Sequence, residues 1–105
     1  MNEVYVNSLG AFLPGNPIPN TEMEDYLGCV FGKPSKYRAI TLKQNQIKQR
    51  HYALDKQGCS LHSNSGMAAA AIHAAVKNSE ISLQDISYLA ASATLGDSLV
   101  PRLAA

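Results

Sequence analysis

Cys29, Cys59, His51, His62 and His73 are the side chains here best suited to nucleophilic or acid–base chemistry. A catalytic cysteine acts as its thiolate and needs an electropositive niche with a paired base. Cys29 follows Gly28 at the end of a predicted helix, where the macrodipole works against negative charge. Cys59 lies in a polar loop with Lys56 as its nearest cation. Neither is assigned as a nucleophile. Both read as thiols of a reducing cytosol, too few for a disulfide framework and without metal-ligand spacing. His51 follows Arg50 in a turn and reads as a surface or supporting residue. His62 stands two residues before Asn64, and this pair serves equally as a solvated side chain and a helix cap. His73 falls mid-helix between Ile72 and Ala74, a setting for a satisfied histidine, not a base. No acid–His–Ser spacing, carboxylate pair or glycine-rich phosphate loop stands out. The sequence therefore yields no catalytic residue, no metal site and no cofactor.

Charge offers one further feature. Nine Lys and Arg against eight Asp and Glu give a net charge of +1, which supplies no footprint for nucleic acid. Seven of the nine cations nonetheless fall between Lys33 and Lys56: Lys33, Lys36, Arg38, Lys43, Lys48, Arg50 and Lys56. Such a run either forms a patch for an acidic partner or is an ordinary solvated face. A hydrophobic content of 46% with 16% charged residues is a globular balance, not a disordered one. The 105 residues suit one small domain. No secretory leader is expected at the N-terminus, and no apolar run nears the ~20 residues that span a bilayer. A cytoplasmic protein without membrane contact is expected.

The elements that position these residues follow from local patterns. Val4, Tyr5, Val6 and Leu9 predict a strand, ended by a turn at Pro14, Gly15, Pro17 and Pro19. Asn20 or Thr21 caps a helix, Thr21 and Glu24 fit a capping box, and Met23, Tyr26 and Leu27 form an apolar stripe up to a stop at Gly28. Residues 37–50 are mixed and basic, with Ile40, Leu42 and Ile47 as buried candidates. His51 to Leu54 is a short extended piece, and 55–65 a polar loop containing Gly58. Asn64 or Ser65 caps an alanine-rich helix from Met67 that is mostly buried. Ser82 and Asp85 cap a short turn, and Ile86 to Thr94 fits a strand buried on both faces. Pro101 opens a final helix at Leu103–Ala105. Strands alternating with helices argue an α/β fold with a parallel sheet.

Five strings in this order carry a resemblance. Gly10-Ala11-Phe12-Leu13-Pro14 looks like an opening G-x-x-L-P, and Asn20-Thr21-Glu22-Met23 like N-x-x-[LM]. Gln46-Ile47-Lys48-Gln49-Arg50-His51 resembles a G-I-x-x-R-x turn. The helix from Met67 with Leu83 to Leu89 resembles a D-I-D-x-[IL] entry into a core strand, and Ala93 to Pro101 an A-T-x-x-P-D-x-x-x-P loop. Together they resemble the start of the ketoacyl-acyl-carrier-protein synthase III family of the thiolase-like superfamily, across almost the whole chain.

The resemblance implies residues 1–105 of a thiolase-like N-terminal domain: the strand-helix-helix-strand of its first half, incomplete and ending before the nucleophile. It implies an acyltransferase that condenses acyl thioesters in fatty-acid or polyketide-like biosynthesis, inactive in this segment alone. Its cysteine, histidine and asparagine would lie further on. Acyl carrier protein or acyl coenzyme A would be the partner, and the full-length protein a homodimer. The family turn begins with glycine where this chain has Gln46; if that position takes positive φ, glutamine costs about 1 kcal/mol there. The family also holds coenzyme A with an aromatic and an arginine ahead of the turn. Residues 40–44 offer neither, and Lys43 is the nearest cation. A carrier-protein donor tolerates that loss better. Lys43 and Arg50 are the substrate-binding candidates. The competing expectation is a small α/β binding module that docks an acidic partner through its basic 33–56 segment.

Overall fold

The computed structural model describes residues 2–29 and 31–97. They belong to two units, one of residues Pro14–His62 and the other drawn from residues 1–13 and 63–105.

The Pro14–His62 unit is built on a two-residue ladder. Strand β1 (Ile18–Pro19) pairs antiparallel with β2 (Gln49–Arg50), Ile18 opposite Arg50 and Pro19 opposite Gln49. Proline has no N–H to give a ladder and sits in an edge position here. The next residue continues the pairing: Asn20 N–H donates to Lys48 O at 3.2 Å, and its side-chain amide to Ile47 O at 2.5 Å. A 3₁₀ turn, Asn20–Glu22, leads into α1 (Met23–Leu27). The helix stops at Gly28, whose φ of 80° suits glycine and whose N–H reaches Glu24 O. The expected Thr21–Glu24 capping box does not form: Thr21 lies inside the 3₁₀ turn, whose N-cap position is Pro19, and Glu24 is engaged by residues 29–38.

Residues 37–50 hold a helix that their mixed composition concealed, α2 (Arg38–Asn45). It ends at Gln46 in the left-handed region (φ 58°, ψ 15°), with Gln46 N–H on Leu42 O. The conditional cost assigned to glutamine at this turn therefore applies. Beyond β2, residues 53–61 form a hairpin with a bridge between Leu54 and Ser60. Asp55 Oδ1 accepts the Gln57 and Cys59 N–H groups at 2.9 Å each, an Asx turn that Gly58 completes at φ 83°.

In the other unit the organising element is α3 (Asn64–Lys77). Its N-cap is Ser63, one residue before the expected cap, with Ser63 Oγ accepting the Gly66 N–H. The Asp97 carboxylate takes the Asn64 and Ser65 N–H groups at 2.7 and 2.8 Å and the Ser65 hydroxyl, and Asn64 Nδ2 donates to Leu95 O. Residues 8–10 cross the alanine face of the helix. Ser8 Oγ donates to Ala75 O, and Asn78 Nδ2 to Leu9 O. Gly10 lies so close that a Cβ there would sit 2.2 Å from the Ala75 nitrogen and 2.6 Å from the Ala71 oxygen. Small residues on both sides permit this approach. The Ser82–Asp85 capping box forms as expected and opens a 3₁₀ turn at Leu83–Asp85.

Helices and strands are thus mixed, but the expected parallel sheet is absent. Among the described residues the one sheet is two-stranded and antiparallel. The expected strands at Val4–Leu9 and Ile86–Thr94 belong to no sheet. A strand buried on both faces needs neighbours on each side and helices above and below; without them Tyr88 is 83% and Leu89 52% exposed, and Val4 is 94% exposed. No aliphatic or aromatic side chain among the described residues is buried, and Pro14 is the buried residue among them. Ile40 and Ile47 are exposed and Leu42 is half-buried, and α3 is nowhere fully covered. The final helix expected at Leu103–Ala105 lies outside the described residues.

Two outcomes follow. Gly10→Ala must push residues 8–10 off α3 and should lower stability by about 1–3 kcal/mol in urea unfolding; an unchanged midpoint would rule out the close approach. The three hydrogen bonds from Ser65 and Asn64 hold the Asp97 pKa below the ordinary carboxylate range. A depressed folded pKa stabilises the folded form above the unfolded value of about 3.9, and the contribution is lost as pH falls through the lower folded value. Hydrogen exchange at the Asn64 and Ser65 amides should accelerate across that acid window relative to the rest of α3. In Asp97→Asn this step should vanish.

Candidate functional site

A cleft of about 370 Å³ opens within the Pro14–His62 unit. Each wall traces to an element above. The β1–β2 ladder brings Ile18 beside the chain leaving β2 and places Tyr52 within reach of α1, where its ring stacks on Tyr26 (centroids 5.5 Å apart, planes at 22°). Stacking at this spacing adds attraction beyond area burial. His51 Nδ1 lies 3.1 and 3.2 Å from the carbonyl oxygens of Pro14 and Gly15, and so is the protonated, donating nitrogen. That contact ties the 14–16 loop, which contributes Gly15 and Asn16, to the rest of the wall. The 53–61 hairpin supplies Leu54, Lys56 and Leu61. Lys56 Nζ sits 5.7 Å from the Tyr26 ring centre and 4.0 Å from Glu22 Oε1.

This arrangement can bind but holds no catalytic pair. The partner of Cys29 is a carboxylate and not a histidine. Cys29 Sγ donates to Glu24 Oε2 at 3.7 Å, and removal from water, followed by the Glu24 charge and that hydrogen bond, pushes its pKa up. Glu24 also accepts the Ser35 N–H and pairs with Arg38 at 3.7 Å. The upward shift is in keeping with its unfavourable place at a helix end. Cys59 is exposed, beyond the Asx turn. His73 faces outward from α3. No group of three His, Cys, Asp or Glu among the described residues could hold a metal ion. No helix among them is long and apolar enough to cross a membrane.

Lys43 and Arg50 are both exposed, Lys43 in the last turn of α2 and Arg50 on β2 opposite Ile18. Among the described residues the ion pairs are Arg38–Glu24 and Lys56–Glu22, so these two candidates share in neither. Neither lines the cleft. The sequence showed Tyr26 only in an apolar stripe and Tyr52 only in a short extended piece, because the two are 26 residues apart and meet through the ladder. A scan of protein-family models and a search of curated proteins each returned no match.

Replacing Glu24 by Gln removes the charge that, after loss of water, raises the Cys29 pKa most. Iodoacetamide should then alkylate Cys29 severalfold faster at pH 7.5, with Cys59 unchanged as internal reference. Equal rates at Cys29 in both proteins would rule out Glu24 as its suppressor.

Proposed function

We propose that the chain is the N-terminal part of a ketoacyl-acyl-carrier-protein synthase III-like acyltransferase of thiolase-like fold, acting in the cytoplasm. The whole enzyme would condense acyl thioesters in fatty-acid or polyketide-like biosynthesis, as a homodimer served by acyl carrier protein or acyl coenzyme A. This segment is inactive by itself. The observation that carries the reading is Gln46: it adopts φ 58° between α2 and β2, at the position where the resembled family's turn begins with glycine. The exposed apolar residues of 2–9 and 86–95 agree with it, since such segments gain most from strands laid beside them. Nucleophile, histidine and asparagine belong, on this reading, to polypeptide beyond the segment, and Lys43 and Arg50 are left to meet the donor.

A second reading has its own observation. Lys33, Lys36, Lys43, Lys48 and Arg50 are all exposed, as docking an acidic partner through the 33–56 segment requires. Sequencing the gene past codon 105 separates the two. The first expects an open frame entering a helix with a cysteine, then a histidine and an asparagine, and expects no ketoacyl product from the present chain given acyl- and malonyl-carrier protein. A stop codon directly after Ala105 would overturn it, and salt-sensitive binding of an acidic carrier protein by the chain alone would then support the second.

A further inference from the structure

We propose that the cleft between Tyr26, Tyr52 and the 53–61 hairpin binds a small apolar or aromatic acid, its ring or chain against the tyrosine pair and its anion on Lys56. The inference stands apart from the acyltransferase reading, since the cleft holds neither Lys43 nor Arg50 and its argument uses no family feature.

Size and lining set the ligand class. About 370 Å³ is near the low end of small-molecule sites, which are mainly apolar with a few polar groups to fix orientation. Ile18, Leu54 and Leu61 supply the aliphatic walls, and the stacked tyrosines, both half-buried, supply a flat one. The charge at the rim decides the sign. Lys56 reaches over Tyr26 at 5.7 Å, so a ligand cation would meet a ring face whose attraction is already taken. Asp55, the lining carboxylate, has Oδ1 committed to two N–H groups of its own turn. Lys56 is weakly held: its pair with Glu22 spans 4.0 Å, and the two side chains are 51% and 45% exposed. Pairs this open and this long contribute little, and an anion seated beside an apolar wall competes with Glu22 on favourable terms. Glu22 thus acts as a resident competitor for the site's one cation.

The probe is 4-phenylbutyrate, compared with its neutral amide, titrated into the full chain and followed by amide NMR shifts and calorimetry. Saturable binding is expected, with shifts centred on Tyr52, Leu54 and Lys56 and the acid at least fivefold tighter than the amide. Lys56→Gln should bring the acid down to the affinity of the amide. Glu22→Gln frees Lys56 and should tighten the acid two- to fivefold while leaving the amide unchanged, a gain that an unfolded variant cannot mimic. Absence of saturation, equal affinity for acid and amide, or a Glu22→Gln variant no tighter for the acid would each overturn the proposal.

Discussion

Three carboxylates join segments that the apolar residues leave apart. Asp97 gathers two N–H groups and a hydroxyl at the start of α3, Asp55 closes the hairpin turn through two N–H groups, and Glu24 collects Ser35, Arg38 and Cys29. Hydrogen bonds to an ionised acceptor are roughly twice as strong as neutral ones. With no aliphatic or aromatic side chain buried among the described residues, they and the β1–β2 ladder are what fix the course of the loops. The cleft inherits its geometry from this. Tyr52 meets Tyr26 because the ladder sets the register, and Lys56 hangs over the ring because Asp55 turns the hairpin beneath it.

Legibility divides along the same line. Features that depend on neighbours in sequence could be read from it: the helix stop at Gly28, the Ser82–Asp85 box and the alanine-rich helix. The α2 helix escaped because Ile40 and Thr41 weaken its propensity and its apolar residues trace no clear stripe. The Thr21 cap failed because the turn begins a residue earlier, at Asn20, and because Glu24 is engaged by Ser35 and Arg38 from further along the chain. The cleft was illegible altogether, because nothing local pairs residue 26 with residue 52.

Val4–Leu9 and Ile86–Thr94 illustrate a further separation, between a pattern and its realisation. Their β-branched and apolar composition is that of strands, yet strand structure is a property of a pair. Each runs without a ladder, so composition alone foretold chemistry that geometry here does not express.

The Asp97 clamp also has a meaning in time. A ribosome delivers α3 well before it delivers residue 97, which lies 33 and 32 positions beyond the two amides it caps. Ser63, directly before the helix, accepts the Gly66 N–H without it. A helix of 14 residues is marginal alone even when rich in alanine, so α3 gains a lock on its first turn only when the carboxylate arrives. Gly10 runs the other way: it emerges first and waits for Ala71 and Ala75 to give it a surface. Order of synthesis therefore sets which contacts can exist at each length of chain: Gly10 is present before its surface, and Asp97 arrives after the amides it caps.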